Sequence, residues 1–412
     1  MTKQAVRIGV VGAGRGAAYL RAARLDMGLE LVAVCDSSER RLRALDLPDG
    51  VLCLTDEAEL LAQDMDAVVI ATYFDAHAPL AVRALRAGFH VLSEITANAT
   101  MAEGVALCEA VEETGRIYMM GENSAYTDFN QAMTELYASG EIGRVLYAEA
   151  EYNHPMPPET MLRLAPARGH WRNWLPSTYY CTHALGPLMA ITDTWPVAVN
   201  ALSIPAPELG PQEVRVNDPG SVILCRMDND AVFRLFGIRI PGHSNWYRLH
   251  GTGGAMENAR GPGYFGPGQV RVWHDPWNCP PGQPTERSFV PEWPDHGATA
   301  AGFGHSGADF WVVHHFVEAV RSGRPPFLDV YRSVAMSSVG LLAWRSALAE
   351  GQSVSVPDFR DPGVRGQFRD DHLRAGPDTP DTERLPSSIR GEVEIDRADL
   401  ERAERFWNSL HR

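Results

Sequence analysis

The chain has 412 residues, 45% of them hydrophobic, so it is long enough for two domains that each bury a core. Lys and Arg number 37 against 52 Asp and Glu, which gives a formal net charge of -15 at pH 7. This acidic balance argues against nucleic acid and against anionic membrane surfaces as partners. No apolar run approaches the roughly 20 residues of a membrane-spanning helix.

The sequence also indicates a compartment. The first residues enter a predicted strand almost at once, so we expect no signal peptide. The six cysteines are scattered without a C-x-x-C pair, and the 14 histidines include no H-E-x-x-H. We therefore expect reduced thiols, a cytoplasmic protein and no metal site.

A glycine-rich turn near the N-terminus is the most informative motif, with the sequence VRIGVVGAGRGAAYL at 6–20. An apolar strand runs into Gly12, Gly14 and Gly16, and a helical pattern follows. The pattern is typical of the dinucleotide-binding fingerprint. In it, Gly12 permits the tight turn, Gly14 lets the backbone approach a pyrophosphate and Ala17 takes the third, close-packing position.

An acid follows this motif at the expected distance. Asp36 comes directly after the apolar run 29–35, about 20 residues beyond the glycines, where a carboxylate binds ribose hydroxyls and opposes a 2′-phosphate. This favours NAD over NADP. Arg40 and Arg41 lie where basic residues sometimes receive a 2′-phosphate, but we interpret them as a solvated helix face. The other predicted cofactor contacts are Arg15, Thr72, His77, Glu94 and Asn123.

Apolar runs and helical patterns alternate through roughly the first 120 residues. Strands are predicted at 67–72, 90–94 and 117–120, and helices near 78–87 and 101–114. This alternation predicts a doubly wound parallel sheet of the Rossmann type.

Beyond this point the pattern changes to long β-rich runs with few helices. Strands are predicted at 145–152, 197–204, 221–227, 232–240 and 247–250. Helices are predicted at 129–139, 309–321, 333–350 and 397–410. The long strands favour an α+β domain with a large, mostly antiparallel, open-faced sheet. The segment 260–304 is rich in Gly, Pro and Trp and is predicted to form long ordered loops.

Three parts are therefore predicted. Residues 1–122 form the NAD-binding Rossmann domain, residues 123–356 the α+β domain for substrate binding and oligomerisation, and residues 357–412 a C-terminal arm. Such arms commonly wrap a neighbouring subunit, and we expect a homo-oligomer, either a dimer or a tetramer.

The whole pattern resembles the Gfo/Idh/MocA oxidoreductase family over nearly the full length of the chain. The resemblance rests on the Rossmann start, on Asp36, on the sequence AGFHVLSE at 87–94 and on the sheet domain that follows. Dehydrogenases of that family usually follow the glutamate with Lys-Pro, and the lysine assists the substrate hydroxyl. Here Ile95 and Thr96 stand in those positions, and isoleucine cannot carry or polarise a proton.

One branch of that family is more similar to this chain: the NAD-dependent glycoside hydrolases, typified by bacterial α-N-acetylgalactosaminidases. Four segments carry the likeness, namely GENSAY at 121–126, AEAEY at 148–152, YCTHALGP at 180–187 and GHSGAD at 304–309. A tyrosine typical of the branch is replaced by His243, so the resemblance does not fix the sugar.

The resemblance implies a redox-neutral hydrolysis of a glycoside with bound NAD. In that branch NAD takes a hydride from C3 of the sugar, a base removes the acidified C2 proton, and the C1 aglycone is eliminated. Water then adds and the hydride returns, so no pair of catalytic carboxylates is required. The alternatives are a sugar dehydrogenase that uses His183 in place of the lysine, and an NAD-binding protein without catalysis.

Three residues are candidates for catalysis. His183 is expected to lie at a helix start, and an imidazole titrates near neutrality, so it suits proton transfer; the alternative is a capping or core histidine. Tyr152 is a candidate C2 base if positive charge lowers its pKa, with Tyr179 and Tyr180 as adjacent alternatives. Glu122 ends the last Rossmann strand and is predicted to bind a sugar hydroxyl or, alternatively, to cap the next segment.

The segment 163–174 combines three arginines and a histidine with two tryptophans, which is unusual in an acidic protein. Indole rings pack on sugars, and guanidinium groups bind sulfonate, carboxylate or phosphate, so sulfoquinovosides and N-acetylhexosaminides both come into question. The alternative is a surface loop against a neighbouring subunit. The predicted substrate contacts are Arg163, Arg168, His170, Arg172, Trp174, Tyr180, His243 and His305.

Overall fold

The computed structural model describes residues 5–23, 27–205, 214–261, 266–279, 281–293, 297–300 and 302–410. By their internal contacts they divide into two units that interleave along the chain. The Rossmann unit lies within 1–128, 292–335 and 358–370, and the sheet unit within 129–291, 336–357 and 371–412. Each predicted domain is one continuous stretch of sequence, whereas each of these units combines three separate segments of the chain.

The strands of the described chain are numbered in sequence order. They are β1 (Val6–Val11), β2 (Leu29–Cys35), β3 (Leu52–Leu54), β4 (Ala67–Ile70), β5 (His90–Ser93), β6 (Tyr118–Met120), β7 (Val145–Asn153), β8 (Pro196–Ile204), β9 (Gly220–Met227), β10 (Val232–Ile238), β11 (Ser244–Gly251), β12 (Ala255–Asn258), β13 (Val270–Trp273), β14 (Glu286–Phe289), β15 (Val354–Ser355), β16 (Arg374–Ala375) and β17 (Arg384–Leu385).

The α-helices are numbered in the same way. They are α1 (Ala17–Ala23), α2 (Glu39–Arg43), α3 (Glu57–Leu61), α4 (Phe74–Arg86), α5 (Met101–Thr114), α6 (Asp128–Ala138), α7 (Pro158–Leu164), α8 (Thr182–Thr192), α9 (Gly297–Ala300), α10 (Ala308–Ser322), α11 (Val330–Leu348), α12 (Pro362–Arg365) and α13 (Arg397–Leu410). Among the described residues, none of these helices is both long and apolar enough to cross a bilayer.

The Rossmann unit contains a six-stranded parallel sheet, as predicted. Its order is β3-β2-β1-β4-β5-β6, so the strand order reverses between β1 and β4, where ligands bind in such sheets. All four residues of β4 are buried, because a parallel sheet is covered on both faces.

Local capping explains why α5 has its predicted bounds. Thr100 accepts a hydrogen bond from the backbone N–H of Glu103 at 3.1 Å, and the Glu103 carboxylate accepts the N–H of Ala99 at 2.7 Å. At the other end, Gly115 adopts a left-handed conformation with φ 65°, which ends the helix.

The sheet unit contains a nine-stranded sheet with the order β14-β13-β12-β11-β7-β10-β9-β8-β15. Neighbouring strands are antiparallel except for β7 and β10, which confirms the predicted, mostly antiparallel sheet. Helix α8 packs against β7 and covers one face. On the opposite face Arg234 pairs with Glu149 at 2.6 Å.

The prediction of long loops over 260–304 is wrong in part. Strands β13 and β14 lie there and extend the sheet beyond β12. Val270 and Val272 are buried and alternate with half-buried residues, so the strand pattern exists but spans only four residues.

The end of the predicted C-terminal arm packs on its own chain. In α13, Ala403 and Trp407 are buried in a small apolar cluster with Leu162 and Val214. The indole N–H of Trp407 donates to the carbonyl of Leu162 at 3.0 Å. The terminal helix is therefore anchored on α7 of the same unit.

Candidate functional site

The glycine turn after β1 has the geometry of a phosphate-binding loop. Gly12 has φ 96°, and a Cβ there would lie 2.4 Å from the carbonyl oxygen of Ala71, so only glycine fits. A Cβ on Gly14 would meet no atom within 4 Å, so the backbone at Gly14 faces open space. A ligand can approach the turn on that side.

The close-packing position of the fingerprint is Gly16, and its assignment to Ala17 is wrong. A Cβ on Gly16 would lie 2.2 Å from the carbonyl oxygen of Gly12, whereas Ala17 is exposed. The helix therefore packs on the turn one residue earlier than predicted.

Asp36 is buried at the end of β2 and reaches back to the glycine turn. Its carboxylate accepts the backbone N–H of Ala13 at 2.9 Å and that of Ser38 at 2.9 Å. Arg41 donates to both carboxylate oxygens at 3.0 and 3.1 Å, so it is paired with the acid and is not merely a solvated helix residue. The open backbone at Gly14 and this fixed carboxylate fit the pyrophosphate and the adenosine ribose of NAD.

Two predicted cofactor contacts, Thr72 and His77, lie in the segment that follows β4, Thr72 just after the strand and His77 in α4. His77 is buried, and its ring nitrogens lie 3.0 Å from the carbonyl oxygen of Thr96 and 3.3 Å from that of Thr72. Burial lowers the pKa of His77, partly offset by these carbonyls, so the ring is neutral near pH 7. Thr72 donates its own hydroxyl to the carbonyl of Tyr73 at 3.4 Å. The ring of His77 therefore contacts the segments that follow β4 and β5, and as a neutral imidazole it donates to one of the two carbonyls.

Arg15 links the glycine turn to two buried carboxylates. Its Nε lies 2.7 Å from Oε1 of Glu94, and its Nη2 lies 3.2 Å from Oδ1 of Asp309. The hydroxyl of Tyr19 donates to the same Glu94 oxygen at 2.7 Å. The predicted contacts Arg15 and Glu94 thus meet in one ion network at the carboxyl end of the parallel sheet.

Asp309, the first acid of α10, joins further predicted residues to this network. The side-chain amide of Asn123 donates to Asp309 at 2.8 Å, and Nδ1 of His305 lies 3.0 Å from the other carboxylate oxygen. Burial alone would raise the pKa of Asp309, but His305 and the charge of Arg15 outweigh it and hold that pKa well below its usual range. The sequence reasoning did not select Asp309, although it ends the GHSGAD motif.

Glu122 caps the turn that follows β6. It is fully buried, and its carboxylate accepts the backbone N–H of Ser124 at 3.0 Å. The structure therefore shows the capping contact that was the alternative interpretation of this residue.

In the sheet unit, the predicted residues Tyr152, His183 and Tyr180 form an aromatic group. The ring centroids of Tyr152 and His183 are 4.3 Å apart, and Tyr180 lies 5.3 Å from His183. His183 is buried in the first turn of α8, where its carbonyl accepts the hydroxyl of Tyr247 at 2.7 Å. The alternative base Tyr179 is buried, which raises its pKa well above the ordinary value.

A cavity of about 580 Å³, counting its open mouth, adjoins this group. Its lining residues are Tyr152, His154, Met156, Met161, Trp171, Arg172, Leu175, Pro176, Ser177, Tyr180, Asn217, Asp218, Ile238 and Arg239. The Oγ of Ser177 is buried and has no hydrogen-bond partner among the described residues. The lining thus combines aromatic faces with polar groups, as sugar sites do.

Two arginines and one carboxylate carry the charge of this lining. Arg172 lies over the ring of Trp171, with its guanidinium carbon 4.2 Å from the centroid. Arg239 donates to the side-chain and backbone oxygens of Asn217 at 2.7–3.0 Å. With Asp218 as the acid, the lining has a formal net charge of one positive.

Three further histidines lie near the aromatic group of Tyr152, His183 and Tyr180 or against the cavity wall. His243 lies 5.4 Å from His154 between ring centroids, and His154 lies 6.2 Å from Tyr152. Burial, reinforced by His243, lowers the pKa of His154. His170 stacks 5.6 Å from Trp171 and supports the cavity wall, and burial lowers its pKa to about 4.

The other members of the arginine-rich segment point elsewhere. Arg163 lies over the ring of Phe406 in α13, 5.5 Å from the centroid, and Arg168 is exposed. Trp174 is buried and donates its indole N–H to the carbonyl of Gly169 at 3.1 Å. The predicted contacts Arg163, Arg168 and Trp174 therefore do not line the cavity. Trp171 of the same segment does.

Two parts of the chain match known protein domains. Residues 6–122 match the family described as "Oxidoreductase family, NAD-binding Rossmann fold". Residues 232–369 match "Glycosyl hydrolase 109, C-terminal domain". The glycine turn and the parallel sheet thus fit the NAD-binding Rossmann domain of the Gfo/Idh/MocA type that the first match describes. More narrowly, the chain joins that NAD-binding domain to the C-terminal domain of glycosyl hydrolase family 109, which confirms the resemblance.

Relatives are similar to this chain over most of its length, and solved structures share its fold. A glycosyl hydrolase family 109 protein of Saccharopolyspora erythraea is 28% identical over 92% of this chain and 87% of its own length. One of Stenotrophomonas maltophilia is 25% identical over 86% and 89%. Levoglucosan dehydrogenase in complex with NADH and levoglucosan has the same fold, with a TM-score of 0.70 and 20% identity over 86% of this chain and all of that chain.

Proposed function

We propose that the chain is an NAD-dependent glycosidase that cleaves its substrate by transient oxidation at C3 of the sugar. C2 deprotonation, elimination of the C1 aglycone, water addition and re-reduction complete the cycle. The observation that carries the proposal is the contact of Tyr152 with His183 beside an open cavity lined by aromatic and polar residues, in a chain with Ile95 where related dehydrogenases have a lysine. NAD, when bound, supplies a reversible two-electron oxidation of the sugar alcohol.

Tyr152 is suited to remove the C2 proton. Tyr152, Arg172 and Arg239 all line the cavity, and the positive charge of the two arginines would favour a phenolate there. The imidazole of His183 packs against the tyrosine ring and fixes its position. The imidazole nitrogens of His183 can also accept and donate a proton.

His305 is suited to a second proton transfer. One ring nitrogen, Nδ1, lies against the carboxylate of Asp309, and 52% of the side chain is exposed. A histidine held in this way by an acid presents Nε2 as a proton acceptor. We extend its predicted role as a sugar contact to protonation of the leaving oxygen and deprotonation of the incoming water.

The cavity charge supports an anionic sugar as the substrate. Arg172 and Arg239 outnumber Asp218 in the lining of a protein whose net charge is -15. A sulfonate, carboxylate or phosphate substituent, as in a sulfoquinovoside, would take guanidinium hydrogen bonds there. A neutral N-acetylhexosaminide is the alternative substrate.

The second candidate function is an NAD-dependent sugar dehydrogenase. His183 would then take the hydroxyl proton that a lysine takes in related dehydrogenases, because Ile95 cannot. In that case oxidised sugar and reduced cofactor would both leave the enzyme.

One experiment separates the two functions. The holoenzyme is incubated with neutral, N-acetylated and anionic aryl glycosides in heavy water, while aglycone release and the absorbance of reduced cofactor are followed together. A glycosidase of this type releases the aglycone without net reduced cofactor and leaves deuterium at C2 of the product. Steady formation of reduced cofactor without aglycone would establish the dehydrogenase, and a product without deuterium at C2 would refute the mechanism.

A further inference from the structure

We infer that Asp309 is a positioning residue that holds the imidazole of His305 in a single tautomer and a single orientation. The inference rests on the proposed proton transfer by His305. It goes beyond that proposal because it assigns a task to a buried carboxylate that touches no substrate in the proposed mechanism.

The hydrogen bonds around Asp309 fix the direction of each donor. Asn123 donates to Oδ1 at 2.8 Å, and Arg15 donates to Oδ1 at 3.2 Å and to Oδ2 at 3.4 Å. His305 reaches Oδ2 through Nδ1 at 3.0 Å. An ionised carboxylate only accepts, so Nδ1 of His305 must carry the proton, and Nε2 of the neutral ring is left as the acceptor.

The backbone turn before α10 wraps this carboxylate. His305 and Ser306 have φ values of 51° and 54°, the left-handed region that residues other than glycine seldom adopt. A Cβ on Gly304 would lie 2.6 Å from Oδ2 of Asp309, so the turn passes directly over the acid. Such a conformation persists where its surroundings determine it, and the Asp309 carboxylate is the group it encloses.

The chemistry needs this arrangement twice in each turnover. When the C1–O bond breaks, the doubly protonated ring gives its Nε2 proton to the leaving oxygen. The neutral ring that remains keeps its Nδ1 proton toward Asp309, and its Nε2 then takes a proton from the water that adds at C1. One proton is returned for each one taken, so the ring ends the cycle as it began. A ring in the other tautomer would present an N–H to the water and could not take its proton.

The test is Asp309→Asn. The amide oxygen still accepts from Asn123 and Arg15, so the amide NH₂ faces His305 and now donates to Nδ1. The proton of the ring moves to Nε2. Nitrogen-15 spectra of labelled histidine in the NAD-bound protein report this tautomer directly. We expect the Nδ1–H form in the wild type and the Nε2–H form in the variant.

Turnover gives the second readout. Loss of the correct tautomer in an Asp–His pair lowers turnover by up to about 10⁴-fold, so we expect a fall of kcat on the order of 10²–10⁴-fold. KM should change little, and the loss should be larger for glycosides with poor leaving groups. Asp309→Glu, which keeps the carboxylate, should retain the Nδ1–H form and recover part of the turnover.

A double-variant cycle excludes a general structural effect. If Asp309 acts through His305, then adding Asp309→Asn to His305→Ala should cost no further turnover. An unchanged tautomer in Asp309→Asn, or a full additional loss in the double variant, would overturn the inference. If the wild type cleaves no glycoside, the proposed function fails, yet the nitrogen-15 spectra still decide whether Asp309 sets the tautomer.

Discussion

Replacing Arg172 with alanine should abolish discrimination in favour of an anionic sugar. The guanidinium lines the same cavity as Tyr152 and stacks 4.2 Å from the centre of the Trp171 ring. A hydrogen bond to a charged group contributes about 1.5–3 kcal/mol, which corresponds to about 10- to 150-fold in kcat/KM. Loss of the cation–π contact costs about 0.5–1 kcal/mol and affects neutral and anionic substrates alike.

The quantity to measure is therefore a ratio. Steady-state kinetics on two aryl glycosides that differ only in the charged substituent give kcat/KM for each, and the anionic-to-neutral ratio should fall about 10- to 150-fold in Arg172→Ala. Arg168→Ala is the matched control, since Arg168 is exposed on the same segment and lies outside the cavity lining. Equal losses on both substrates, or the same fall in the control, would show that Arg172 does not bind the substituent.

Three further variants test the remaining parts of the argument. Tyr152→Phe keeps the ring that packs on His183 but removes the hydroxyl, so incorporation of solvent deuterium at C2 should stop; continued exchange would assign the base elsewhere. Asp36→Ala should weaken NAD binding in calorimetry by about 10- to 100-fold. The same variant should also show a smaller preference for NAD over NADP, because Arg41 loses its carboxylate partner. An unchanged preference for NAD would contradict this reasoning. Trp407→Ala should lower the free energy of unfolding in urea by about 3–5 kcal/mol, and no change would mean that α13 does not stabilise the sheet unit.

The Rossmann half could be predicted from the sequence because its signals are local. A glycine turn, an acid about 20 residues later and strand–helix alternation each occupy a short window, and α5 carries its own caps. Strands β13 and β14 were missed because four residues of alternation among glycines and prolines do not distinguish a strand from a loop. The close-packing residue was misplaced by one position because the spacing of the fingerprint selects Ala17, whereas the backbone makes its close approach at Gly16.

The candidate site residues likewise depend partly on local sequence motifs and partly on long-range packing. Tyr152 and His183 belong to sequence motifs, but their contact depends on how α8 packs on β7, which no local pattern shows. Arg239 reaches the cavity because β10 pairs with β7 in the register that places Gly237 opposite Tyr152. Within the arginine-rich segment, composition does not tell which guanidinium faces the cavity, since that depends on the path of the chain after α7.

Charge gives the strongest link between the sequence and the proposed substrate. A net charge of -15 repels large polyanions, yet the Debye length at physiological ionic strength is only about 8 Å, so distant carboxylates are screened from a small ligand. Within that distance the ligand meets mainly the cavity lining, where Arg172 and Arg239 face a single acid, Asp218. A net negative charge is therefore compatible with the proposed local site for a sugar that carries one negative charge.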